Sequence, residues 1–93
     1  MPSAEVAVMH PAGLHARPAA EFVKLSITFP CDIKIRNLTA DGKYVNAKSI
    51  LSVLTLGVQQ GHRIWIETSG EKEAEALKAL MELIESNFGE AKP

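Results

Sequence analysis

The chain has 93 residues, 46% hydrophobic and 23% charged, which suits one domain around one core and excludes a disordered chain. Ten basic and eleven acidic side chains leave a formal net charge of −1, without the basic excess that marks non-specific nucleic-acid binding. No apolar run approaches the roughly 20 residues that span a bilayer, and Met1-Pro2-Ser3-Ala4-Glu5 is not a basic-then-apolar leader, so membrane insertion and secretion are not expected.

In chain order, Val6-Ala7-Val8-Met9 reads as a strand, broken by Pro11-Ala12-Gly13. Ala16, Ala19, Ala20, Val23 and Ile27 recur at helical spacing and predict a helix over Ala16–Ile27. Pro18 falls in its first turn, where a missing N–H breaks no helical bond, and Pro30 stops it. Asp32-Ile33-Lys34-Ile35-Arg36 alternates like a strand with one buried face, and Lys43-Tyr44-Val45 returns from the turn dipeptide Asp41-Gly42.

Ser49–Leu56 is mostly apolar and closed by Gly57, and it reads as a short helix. Arg63-Ile64-Trp65-Ile66-Glu67 alternates again, with Ile64 and Ile66 inward and Trp65 on the other face. A final helix carries the stripe Leu77, Leu80, Met81, Ile84 and Phe88, with Glu71 and Glu73 in its first turn and Gly89 at its end. The order β-α-β-β-α-β-α predicts an α+β fold with a helix-covered antiparallel sheet, open on one face, in a single domain over residues 1–93.

Chemistry concentrates in Gly13-Leu14-His15-Ala16-Arg17-Pro18-Ala19-Ala20. A turn glycine delivers the chain to His15 at a helix N-cap, where the unpaired N–H groups of Ala16 and Arg17 and the positive helix end favour an anion. The Arg17 guanidinium adds a planar fork that matches phosphate. A neutral imidazole beside such a cradle suits a histidine that accepts and releases a phosphoryl group. Taken alone, the same pair also fits a plain capping or surface histidine.

A second stretch, Asn46-Ala47-Lys48-Ser49-Ile50, puts Ser49 at the N-cap of the short helix. That helix has more apolar residues than one buried face can use, so part of Ile50, Leu51 and Leu54 is expected on the surface as a partner site. The remaining candidates carry less. His10 and His15 straddle a Pro/Gly break and share no helix face, and no third metal ligand is in sight. His62 is expected to be solvated in a turn, and Cys31, which has no second thiol to pair with, to be a packing residue of a protein in a reducing cytoplasm. Tyr44 and Trp65 could stack bases on a sheet, but the basic charge that accompanies such sheets is missing.

The octapeptide around His15 resembles the active-site signature of the HPr family, the histidine-containing phosphocarriers of the bacterial phosphoenolpyruvate:sugar phosphotransferase system. Asn46–Ile50 followed by Leu56-Gly57 resembles that family's regulatory-serine signature, and the likeness covers nearly the whole chain. The resemblance implies an open-faced β-sandwich of four antiparallel strands with three helices on one face. It implies that His15 is phosphorylated on Nδ1 by phospho-enzyme I and passes the group to an enzyme IIA, with Arg17 neutralising its charge. It implies Ser49 as the target of HPr kinase/phosphorylase in lineages that have that enzyme, with a transcriptional regulator as a further partner. Ala20, Phe22, Lys24, Ile50, Leu51 and Leu54 align with the docking surface. No metal or cofactor is implied, and a cytoplasmic monomer is expected.

This chain departs from the family pattern in having Ala12 where many relatives carry a hydrogen-bonding side chain, Ile27 at a usually polar or small position, and a longer hairpin over residues 37–42. Glu21 lies near the phosphoryl site and slightly opposes its positive field. Two other readings stand beside the relay: a regulatory interaction module acting mainly through Ser49, and a small RNA- or ligand-binding domain in which the His15–Arg17 pairing is coincidental.

Overall fold

The structure, a computed structural model, describes residues 2–89. Its elements run β1 (Ser3–Ala7), α1 (Ala16–Ile27), β2 (Asp32–Asn37), β3 (Val45–Asn46), α2 (Ile50–Leu54), β4 (Arg63–Ser69) and α3 (Glu73–Glu85), followed by a 3-10 turn at Asn87–Gly89. Period-two alternation builds the sheet. In β2, Ile33, Ile35 and Asn37 are buried while Asp32 and Lys34 are exposed; in β4, Ile64, Ile66 and Thr68 are buried and Trp65 stands on the other face.

The strands lie in the order β1-β4-β2-β3, every pair antiparallel. Their register sets Ala4, Ile66, Ile35 and Val45 in one row across the sheet, and Glu5, Trp65 and Arg36 in a row of the opposite face. The first face is covered by the helices, which add Phe22, Val23, Val53, Ala76, Leu80 and Ile84 to the core; Cys31 packs there too, 2% exposed. The second face is open. This is the α+β, open-faced arrangement that the element order predicts.

The differences lie at element ends. β1 starts at Ser3 because its partner β4 is long enough to pair it and ends at Ala7, beyond which Val8 still exchanges backbone bonds with Gly61 and His62. The returning half of the hairpin is only Val45–Asn46, since Tyr44 leaves the ladder and its ring lies 5.5 Å from the Arg36 guanidinium. α2 stops at Leu54, two residues short, and the chain turns through Thr55 and Gly57. α3 begins at Glu73, with Lys72 at its N-cap and Glu71 in the preceding turn. It ends at Glu85, and Phe88 reaches the core from the 3-10 turn at φ +58. His62 is half-buried rather than solvated: its Nδ1 accepts the Gln59 N–H at 3.2 Å and lies 3.2 Å from Nδ2 of the fully buried Asn37, which also donates to the Leu56 carbonyl.

Candidate functional site

The segment before α1 is held by its own backbone. The Gly13 N–H donates to the His10 carbonyl at 2.8 Å, and the Leu14 N–H to the Val58 carbonyl at 3.0 Å. Gly13 is required there: its φ is +61, and a Cβ would overlap the Val58 carbonyl oxygen and come within 2.9 Å of Gln59 Cα. Leu14 is fully buried and the next residue, His15, is half-exposed, so the chain emerges from the core at His15.

His15 is the N-cap of α1 in an extended conformation (φ −126, ψ 169), and its side chain makes no capping bond. Among the described residues the imidazole has no hydrogen-bond partner, so both ring nitrogens are available for chemistry. Ala16 follows at φ +48, a left-handed conformation that costs an L-residue about 1–2 kcal/mol. The cost is sustained by anchors on both sides: Leu14 in the core before it and the buried Pro18 after it.

The donors of the first turn can be counted. Pro18 has no N–H, and the Ala19 N–H is spent on the His15 carbonyl at 3.4 Å. That leaves the N–H groups of Ala16 and Arg17, which have no partner among the described residues. No acidic residue sits in this turn, so the positive end of the helix is not neutralised locally. The Arg17 side chain is exposed and free of any ion pair among the described residues. An unpartnered imidazole, two unpaired amide donors and an exposed guanidinium therefore lie within the first residues of one helix end. The nearby hollow of about 640 Å³ beside Met9 and Pro11 is lined by neither His15 nor Arg17.

The second stretch is built as tightly. The Asn46 side chain accepts the Lys48 N–H at 2.9 Å, Lys48 Nζ donates to the Phe29 carbonyl at 2.6 Å, and Ala47 is buried with its N–H on the Ile33 carbonyl. Ser49 is the N-cap of α2, its Oγ accepting the Ser52 N–H at 3.3 Å. Beyond it Ile50, Leu51 and Leu54 are 39%, 74% and 38% exposed. α2 packs against α1, whose Ala20 and Lys24 are exposed as well.

Phe22 corrects the expectation. It is fully buried, because Pro18, Ala19, Phe22, Val23 and Ser26 form the inward face of α1, and it cannot touch a partner. The three- and four-residue spacing to Ala19 and Ser26 carried that signal in the sequence. Ile27, already set apart as a departure from the family pattern, is 59% exposed, and Met9, at 60%, is an exposed apolar residue that no sequence signal marks as a docking candidate. Among the described residues there is no cluster of His, Cys, Asp and Glu that could hold a metal, and no helix long and apolar enough to cross a membrane.

Comparison with known proteins agrees with this fold. The family described as the PTS HPr component phosphorylation site matches residues 2–86. The phosphocarrier protein HPr of Pseudomonas aeruginosa is 41% identical over 91 residues, spanning 97% of this chain and 98% of that protein. That of Pseudomonas putida is 39% identical over 90 residues, with the same coverage. The crystal structure of HPr-C-His from Thermoanaerobacter tengcongensis matches with a TM-score of 0.92 at 43% identity, over 99% of this chain and 100% of that one. The chain belongs to the HPr family of the phosphotransferase system and is a phosphocarrier, not an enzyme with a reaction of its own.

Proposed function

We propose that His15 is the residue that carries the phosphoryl group, received from phospho-enzyme I and passed to an enzyme IIA. The observation that carries this reading is the imidazole at the α1 N-cap, unused in capping, beside the two unpaired N–H groups of Ala16 and Arg17. In the first transfer the Nδ1 lone pair of neutral His15 attacks the phosphorus held on the donor's histidine. A new N–P bond forms, the donor's N–P bond breaks, and its electron pair returns to the donor ring. The second transfer repeats this with His15 as the leaving group. The amide donors and the Arg17 fork offset the charge of the phosphoryl oxygens in both directions, and positioning does most of the work.

Partners dock on Ala20, Lys24, Ile50, Leu51 and Leu54, an exposed apolar patch with a basic rim. Ser49 sits at the edge of that patch. Its phosphorylation by an HPr kinase/phosphorylase places a charge of about −1.5 to −2 there, impairs docking of enzyme I and opens a regulatory role toward a transcriptional regulator. A monomer in the cytoplasm leaves this surface accessible. The test is intact-mass analysis after incubation with enzyme I and phosphoenolpyruvate. Wild type takes one acid-labile phosphoryl adduct and His15→Ala takes none; an adduct retained in His15→Ala overturns the assignment.

A further inference from the structure

We propose that His10 is a positioning residue for the transfer at His15, acting through its Nδ1 on the loop that presents the nucleophile; this rests on His15 being the acceptor. The Ala12 N–H points at His10 Nδ1 at 3.0 Å, and the Gly13 N–H at the His10 carbonyl at 2.8 Å. One residue thus takes both amides that precede Leu14. Bonds from a side chain to an amide two residues on are ordinarily made by Asn, Asp, Ser or Thr. At position 12 the chain has Ala, which offers no polar side chain of its own, and the ring of His10 supplies the acceptor.

The ring is held in place. It meets Phe88 edge-on, with centroids 5.9 Å apart and planes at 80°, and Phe88 is itself 4% exposed. The far end of the α3 segment therefore braces the loop that leads into α1. Gly13 lies against the Val58 carbonyl and Leu14 is bonded to it, so the turn that His10 closes has to deliver Gly13 in the one register that fits there. Loss of the Ala12 bond loosens that register, and small misplacements of the His15 nucleophile lower the transfer rate. Nδ1 can accept the amide only when it bears no proton, so the geometry also assigns the tautomer with hydrogen on Nε2.

The test separates acceptor from packing. His10→Phe keeps an aromatic ring for Phe88 and removes the acceptor; His10→Asn removes the ring and returns an oxygen at the two-residue spacing. Steady-state transfer from phospho-enzyme I is measured for both and for wild type, with thermal melts as the folding control. In His10→Phe, kcat falls about fivefold, the worth of one neutral hydrogen bond, with KM for the carrier unchanged, and His10→Asn restores most of it. Equal losses in the two variants, or no loss in either, overturn the proposal. The wild type gives a second readout that needs no variant: a scalar coupling across the hydrogen bond between the Ala12 nitrogen and His10 Nδ1 in the nitrogen-15 NMR spectrum. Its absence also overturns the proposal. His15→Ala run in parallel keeps the two readings apart, since a retained adduct there refutes the acceptor while leaving the coupling at His10 intact.

Discussion

Ala16 shows how much is decided by single torsion angles. Its φ of +48 turns the chain sharply between an extended His15 and the helix, whose Ala16 and Arg17 amides stay unpaired because the His15 side chain makes no capping bond. Glycine adopts that conformation without the Cβ penalty of about 1–2 kcal/mol, while losing about 0.5–1 kcal/mol in backbone freedom. Ala16→Gly is therefore stabilising by about 0.5–1 kcal/mol. Urea denaturation followed through Trp65, the only tryptophan, measures it; a loss of stability would mean that the left-handed turn is not strained. The sequence points to Gly13, His15, Arg17 and Pro18 by residue type and spacing, but a positive φ at an alanine leaves no compositional mark. Nor does His10: its role depends on Phe88 arriving from the far end of the chain, and no local pattern encodes that meeting.

The elements were readable where one periodicity governed them. β2 and β4 alternate cleanly, and the structure keeps both with Trp65 on the open face. Ends were less so, because they depend on partners: β1 extends to Ser3 as far as β4 pairs it, and Tyr44 leaves the sheet for Arg36. α2 is the instructive case. Five residues are too few for a helix to stand by propensity, so its start rests on the Ser49 cap and its hold on Val53, the one residue of the helix that is buried. The capping bond is long at 3.3 Å, which puts Ser49→Ala at the low end of cap losses, about 0.5–1 kcal/mol. Thermal melts read that loss directly. The same substitution leaves the acid-labile adduct in place, whereas a carrier that failed to load would tie Ser49 to the transfer itself.

At the scale of the molecule, the two faces of the sheet have different work. One is sealed by α1, α2 and α3, and the exposed apolar side chains of α2 lie on that covered side; the other presents Lys34, Arg36, Glu67 and Trp65 to solvent. A fold that exposes Leu51 at 74% gains nothing from it in the core, so its retention fits a surface that is covered only when a partner arrives. Leu51→Glu should then change stability by no more than about 0.5 kcal/mol, since it removes no core contact. A charge placed in the centre of an apolar contact costs about 2 kcal/mol of binding, which raises KM for loading by enzyme I roughly thirtyfold while kcat holds. Lys34→Gln, on the open face, makes the same change of charge, −1, and leaves KM where it was. If both substitutions raise KM alike, enzyme I is drawn by the field of the whole protein rather than by contact with α2. If neither does, the docking surface lies elsewhere, and exposed Met9 and Ile27 are the next residues to replace.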